Sequence, residues 1–562
     1  MRKRLASISQ VTGLTLLMTA VAAFAVPSLL FVCGLPVQKA WFWIAALLAL
    51  GTGWLASRHE EDGNPVRLFA ISAACSALIF AVSFMLSGYF YDLSYDGQAY
   101  HQETMIFLAN GWNPVYDEPL SVPTGHSLWM NHYARASEIA ATAFYKATGL
   151  LEHSKLFNSL LIAASGCLSF SALVALRPGN SPFVSAVVAA LLALNPVSVY
   201  QAFSFYVDGM VASLLLCLLA LGVMLFVRGG WLPVAAYTLT LIMTINVKFT
   251  AFGYAGVLTA GLIVALYMSE QFQKLKRVFT VAAAGTIVGV VLIGYNPYVT
   301  NTLNFGHPFY PVAGEDKIDV VQNFTPRNLE KMNPLEQMAA SYFAVTTGNS
   351  TEKKPTKFKW PFTFSENELT AFAEPDVAVS GFGPLFSAVL LLSLIVLVLA
   401  FRSRSGPALA ASAVIALLTV SVVINPAAWW ARYVPQLWVV PLVCVWLALS
   451  LQGYRVLKAA GWTLAAVIAV NSLLVTGIYA DKQAGWSNEL RAQLRQLQAA
   501  AQPVGADFGY SWSNRERLKS FGIAFEDISP DSCAGEKLTL IKSGTTVCLN
   551  GSGAPGQATA AK

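Results

Sequence analysis

RLFAISAACSALIFAVSFMLSGYFYDLSYDGQAYHQETMIFLANGWNPVYDEPL, residues 67–120, changes character at Ser87. From Leu68 to Ser87 no side chain is charged, and about 20 such residues in a helix cross a hydrocarbon layer ~30 Å thick. Beyond it, acidic and aromatic residues crowd together with glycines and prolines. The stretch therefore reads as a membrane span that delivers a polar loop directly to one membrane surface. The same apolar pattern recurs along the chain, at 11–33, 40–57, 67–87, 156–177, 182–200, 210–228, 231–247, 250–268, 279–296, 382–402, 407–425, 436–453 and 460–480, which predicts an all-α, polytopic protein of thirteen spans.

Composition agrees. Of 562 residues 56% are hydrophobic and 12% charged, with mean hydropathy +0.55, whereas soluble domains carry roughly a quarter charged residues. The net charge of +6 does not signal nucleic acid, because the basic residues sit in short gaps between apolar runs. The N-terminal Arg2-Lys3-Arg4, then Arg58, Arg67, Arg177, Arg228, Lys274, Lys276, Arg277, Arg402, Arg404, Arg455 and Lys458 all fall on one side of the thirteen-span layout. The positive-inside bias makes that side, and the N-terminus, cytoplasmic. In a bacterial inner membrane the segments 88–155, 201–209, 297–381, 426–435 and the chain from 481 onward then face the periplasm. Residues 138–151, EIAATAFYKATGLL, are apolar enough to cross, but a crossing there would invert every later loop, so they are expected to lie along the outer interface.

This layout divides the chain into a membrane region, 1–480, with outer loops 88–155 and 297–381, and a small periplasmic α+β domain, 481–562, ending in the Gly/Ala-rich GSGAPGQATAAK, expected to be disordered. Cys533 and Cys548 lie in that exported part, where a disulfide is expected. The loop opening at 296, NPYVTNTLNFGHPFYP, is long and ordered in composition, as a lid over a site would be.

Polar groups at the outer ends of the spans are the candidates for chemistry. Asp92, Asp96, Tyr100, His101 and Glu103 follow the third span; Asp96 could cap a helix running from Gly97 to Leu108. His132 and Arg135 in NHYARASE, Asp208 in SFYVDG, Lys248 in INVKFT, and Arg432 with Tyr433 in AAWWARYVP occupy comparable positions. Any one alone could be a snorkelling side chain or a helix end. Together they suggest one outer cleft that holds carboxylates, Asp96 with Asp208 and Asp92, beside the cations Lys248, Arg432, His132 and Arg135. No cofactor is expected. A divalent metal is the less favoured option, since the histidines lack a tight ligand spacing such as HExxH.

These residues resemble the GT-C superfamily of membrane glycosyltransferases, which includes the protein O-mannosyltransferases and the lipid A aminoarabinose transferase. Asp96, Tyr100, Gly111, Trp112 and Pro114 match the opening of its first large outer loop, Asp208 its second acidic residue, and Lys248 a later Lys-aromatic element. From a His/Lys-Pro-Pro-Leu-type element only His132 carries over, and Gly97 replaces the tandem acid of many relatives. The resemblance implies inverting transfer of a sugar from a polyprenyl-phosphate-linked donor to a lipid, glycan or exported protein, with the prenyl tail in apolar grooves between spans. For that reaction Asp96 is expected to act as general base, with Asp92 the alternative, Asp208 to orient the acceptor or a basic partner, and Lys248, Arg432, His132 and Arg135 to meet the departing phosphate. A lipid-carrier flippase or secondary transporter and a ligase of whole glycan blocks are the competing readings.

Overall fold

The computed structural model describes residues 2–60, 64–122, 125–350, 352–402, 405–500, 503–533 and 535–549. Arg404 and the Gly/Ala-rich tail lie outside them. Among the described residues, nine helices are long and apolar enough to cross a membrane: Arg2–Val32, Lys39–His59, Pro65–Tyr89, Glu152–Leu176, Asp208–Val227, Phe249–Met268, Phe272–Ile293, Gly406–Val423 and Arg455–Ala499. Shorter apolar helices, Pro182–Ala193, Trp231–Val247, Phe386–Phe401 and Pro435–Ser450, occupy the other expected segments. Helix Asp208–Val227 is the most enclosed of the nine; Arg2–Val32 packs against Lys39–His59, Pro65–Tyr89 and Leu156–Leu176. Leu47, Leu48, Leu78, Met85 and Leu394 on the other helices are exposed, as lipid-facing side chains are.

Four elements differ from expectation. The segment 182–200 is broken: Pro196 has no N–H to offer and forces Asn195 to extended backbone, where its side chain caps a separate turn, Pro196–Tyr200. Helix Phe272–Val288 begins seven residues before 279, taking Lys274, Lys276 and Arg277 into its first turns. The last helix does not stop at 480 but continues for 45 residues to Ala499, so the expected boundary at 481 falls inside it. Residues 136–148 do form a helix, but Ile139, Ala140, Ala143 and Phe144 are buried and the helix packs against Arg2–Val32 and Lys39–His59 rather than lying open along an interface.

The basic loops gather at one end of the bundle. Arg2 donates to the Arg177 carbonyl, Arg228 to Gln10 and Glu60, Trp231 to His59, and Lys274 to the Phe226 carbonyl. At the other end sit the first outer loop and the long stretch 297–381, which carries short helices Thr300–Phe305, Val320–Phe324, Pro334–Tyr342 and Glu366–Ala371 and a strand pair, Thr347–Gly348 with Val377–Val379. There too the extension of the last helix joins a four-stranded sheet. Val504–Asp507 pairs in parallel with Phe525–Asp527 and antiparallel with Thr546–Leu549, which pairs with Glu536–Thr539. Leu490, Leu494 and Leu497 of the helix share this sheet's core with Val504, Val547 and, from the first outer loop, Leu93. A disulfide joins Cys533 to Cys548.

Candidate active site

Five separated segments bring polar groups to a single cavity of about 1520 Å³ at the loop end of the bundle. Asp208 is the first residue of a buried helix. Lys248 is the only residue between helices Trp231–Val247 and Phe249–Met268, and its extended backbone breaks the helical path there. Arg432 lies in a tight turn, Ala431–Tyr433, and Asp376 immediately precedes strand Val377–Val379. Asp96 comes from the first outer loop.

Four of these form a continuous chain of charge. Lys248 Nζ donates to Asp208 Oδ1; Arg432 Nη1 donates to Oδ2 at 3.3 Å, as does Gln201 Nε2 at 3.3 Å. Arg432 Nε lies 3.0 Å from Asp376 Oδ1, yet neither atom has an aligned hydrogen bond, so this link is a charge contact only. Asn349 Nδ2 donates to the other Asp376 oxygen at 2.9 Å. The cations also face aromatic rings: Lys248 Nζ lies 4.2 Å from the Tyr433 centroid, and the Arg432 guanidinium 4.5 Å from Trp430 and 5.4 Å from Tyr206. Burial pushes the Asp376 carboxyl up to about 6, against the opposing pull of Arg432. Arg432 Nη2 makes no hydrogen bond to a described residue, which leaves two N–H groups for a ligand.

Asp96 differs from the other acids. Its backbone is already helical, and its side chain caps nothing, which corrects the N-cap expectation. Ser94 takes that role: its Oγ accepts from Gly97 N–H, while Asp92 Oδ1 accepts from Ser94 N–H and Oγ–H. No hydrogen bond or ion pair holds the Asp96 carboxylate among the described residues, and it is half-buried on the cavity wall. A wide turn, Gly97–His101, with its hydrogen bond from Gln102 N–H to the Gly97 carbonyl, puts Tyr100 and His101 on the same wall. His101 Nδ1 lies 2.6 Å from Glu138 Oε1, and Ser137 donates to the other oxygen at 2.6 Å. Burial disfavours a charged His101 ring, but the Glu138 carboxylate outweighs it and raises the pKa. Gly97 has no room for a side chain, since a Cβ would collide with Asp92 Oδ2; a tandem acid does not fit here.

Other candidates lie elsewhere. Glu103 is buried away from the cavity and accepts from Arg515 of the C-terminal domain at 2.8 Å. His132 pairs with Asn301 Oδ1 at 3.0 Å, between the rings of Phe305 and Tyr310, and anchors the start of the long outer stretch. Arg135 donates to the Asn131 carbonyl and stacks 5.2 Å from Trp112. None of the three lines the cavity. Asp92, the alternative base, is buried with both oxygens occupied, the second by Phe205 N–H at 2.8 Å. Conversely, sequence reasoning missed Asp376 and Asn349. Asp376 obeys the rule that found Asp208, a lone acid at the outer end of a span, and was hidden by the length of its loop.

Fold and site together define a multi-pass membrane protein with a polar reaction-sized cavity at one end of its helix bundle. The chain is similar in form to ArnT from Cupriavidus metallidurans, a GT-C lipid A aminoarabinose transferase whose crystal structure holds undecaprenyl phosphate. The likeness covers 81% of this chain and 85% of that one, with 13% identity and a TM-score of 0.43. No family model and no curated protein matches the chain. The likeness is one of shape, and the chemistry is argued from the cavity's own residues. Among the described residues no group of three or more His, Cys, Asp or Glu side chains is arranged to hold a metal ion.

Proposed function

We propose that this protein is an inverting glycosyltransferase that moves a sugar from a polyprenyl-phosphate-linked donor to an acceptor at the periplasmic face of a bacterial inner membrane. The observation that carries the reading is a contrast inside one cavity: Asp96 is unpartnered, while Lys248 and Arg432 are held in place by Asp208. Asp96 takes the proton of an acceptor hydroxyl. The freed oxygen bonds to the anomeric carbon as the bond from that carbon to the phosphate oxygen breaks. The electron pair leaves with the polyprenyl phosphate, whose charge is met by Lys248 Nζ and the free N–H groups of Arg432. Asp208 is thus a positioning residue rather than a reacting one. Tyr433, Tyr100 and His101 line the pocket for the sugar. Phe252 and Gly253 on one helix and Ile424 beyond the end of another form an apolar wall suited to the prenyl chain.

The topology behind this reading is thirteen crossings with residues 1–480 as the catalytic membrane domain, the N-terminus in the cytosol beside the basic loops and the sheet domain in the periplasm. The carboxylates cluster at one end rather than at mid-membrane, where a secondary transporter places them.

The test is Asp96→Asn in purified protein in lipid nanodiscs, supplied with polyprenyl-phosphate-linked sugars and a membrane acceptor fraction. Release of polyprenyl phosphate should fall 10²- to 10⁴-fold, roughly the contribution of a general base. Near-normal release by folded Asp96→Asn protein would falsify the assignment.

A further inference from the structure

Residues 357–364, KFKWPFTF, sit in the long outer stretch between the strand Thr347–Gly348 and the helix Glu366–Ala371. An isolated antiparallel bridge between Phe358 and Ala344, with Lys359 N–H donating to the Phe343 carbonyl at 2.9 Å, holds this part extended. Successive side chains of an extended strand point to opposite sides. Here the sides are inverted relative to a water-facing loop. Lys359 points inward, buried, donating to Glu368 Oε1 at 2.5 Å and to the Pro384 carbonyl at 2.7 Å. Phe358 and Trp360 point outward, 66% and 75% exposed, and pack edge-on with centroids 5.6 Å apart. Phe362 and Phe364 follow, 55% and 45% exposed, and Phe362 adopts a left-handed backbone, φ +68°, that a bulky side chain keeps only when its surroundings hold it there. A loop in water keeps its lysine outside and its aromatics inside.

The position explains the inversion. Pro384 lies two residues before the helix Phe386–Phe401, so Lys359 ties the aromatic strip to the cavity end of a membrane helix. That helix carries a lipid-facing stripe, Leu391, Leu394, Ile395 and Val398, all exposed and at helical spacing. Gln483 donates to the Ala373 carbonyl at 2.9 Å, level with Asp481 and Lys482, where the last helix leaves its apolar stretch. Lys359 thus sets the strip at the cavity end of a helix whose exposed apolar stripe faces lipid. Lys354 and Lys357 beside it are exposed, as basic residues flanking an interfacial segment are.

We propose that Phe358, Trp360, Phe362 and Phe364 form an interfacial anchor that inserts into the outer leaflet and pins the long outer stretch, which lines the cavity, to the lipid surface. The occupant is the boundary between phospholipid headgroups and acyl chains. This does not depend on the reaction assigned to the cavity.

The experiment compares wild-type protein with Trp360→Phe in nanodiscs of phosphatidylethanolamine and phosphatidylglycerol. The difference in tryptophan emission isolates Trp360 from the other tryptophans of the 14 in the chain. Bromine placed high in the acyl chains should quench that difference about twofold and bromine deep in the chains much less, matching insertion ~5–10 Å into the interface. Trp43, 58% exposed on the span Lys39–His59, provides a lipid-facing control through Trp43→Phe. If the Trp43 difference is quenched while the Trp360 difference is the same in brominated and unbrominated discs, Trp360 faces water or another protein and the anchor is overturned.

Discussion

The buried face of the first outer loop and the cavity wall beside it each carry an acid, Asp92 and Asp96, and treat it in opposite ways. In the loop, every carboxylate apart from Asp96 that meets the C-terminal domain or the neighbouring helices is matched: Asp92 by Ser94 and Phe205, Glu103 by Arg515, Glu138 by His101, and Glu152 by Lys155 and Arg517. Four residues beyond Asp92, Asp96 has no hydrogen-bond or ion-pair partner among the described residues, and across the cavity the contact between Arg432 and Asp376 is unaligned. Membrane-surface depth, which both acids share, does not mark a reacting group. What separates them is where the charge is taken up: Asp92 accepts three hydrogen bonds and is buried away from the cavity, whereas the Asp96 carboxylate, with no hydrogen bond among the described residues, faces the space a substrate would fill.

The comparison breaks most sharply at Asp96 against Asp92. The loss of 10²- to 10⁴-fold in transfer expected of Asp96→Asn should come without loss of thermal stability, and the opposite pattern would reverse the roles given to the two acids. The next largest effect is on folding. Arg517, itself buried, bridges Glu152 at 2.6 Å, the Asp92 carbonyl at 2.5 Å and Asn514 at 2.6 Å. Arg517→Met leaves Glu152 with Lys155 and the Asp92 N–H and should cost roughly 3–5 kcal/mol. Scanning calorimetry of the detergent-solubilised protein reads it, and an unchanged unfolding temperature would mean that the sheet domain does not hold the loop.

Asp92→Asn is milder. It turns an acceptor of three hydrogen bonds into a group that opposes one N–H with another, a cost of about 1–3 kcal/mol, with transfer per folded molecule unchanged. The last effect is gradual, a pH slope. The folded Asp376 carboxyl titrates at about 6 because burial disfavours its charge, against roughly 3.9 unfolded. Between those values the folded chain binds a proton that the unfolded chain has released, so this group makes stability fall as pH rises from about 4 to 6, by at most ~1.4 kcal/mol per pH unit. Unfolding midpoints of wild type minus Asp376→Asn, measured across that range, should show the slope; a flat difference removes it.

Hydropathy made the helices legible, and the polar residues at span ends pointed to Asp96, Asp208, Lys248 and Arg432, which do meet. A sequence reports how far along a helix a residue lies but not which way around the helix it faces. That is why Glu103, His132 and Arg135, at comparable depth, were grouped with the cavity although each turns to a structural partner. Those partners are distant in the chain, Arg515 being 412 residues from Glu103, and no local pattern announces them. Gly97 was legible only as a missing acid, while its steric reason, Asp92 behind it, needed the fold.

The wide turn at Gly97–His101 makes the spacing of this loop a matter of counting. In a regular helix, positions 96 and 101 would point about 140° apart; the surplus residue brings both onto the cavity wall. Removing one residue, Ala99 for instance, would restore the regular pitch and swing the helix Gln102–Ala109 about 100° relative to Asp96. Glu103 would then no longer reach Arg515, so the phase of a single turn links the carboxylate on the cavity wall to the domain docked behind it.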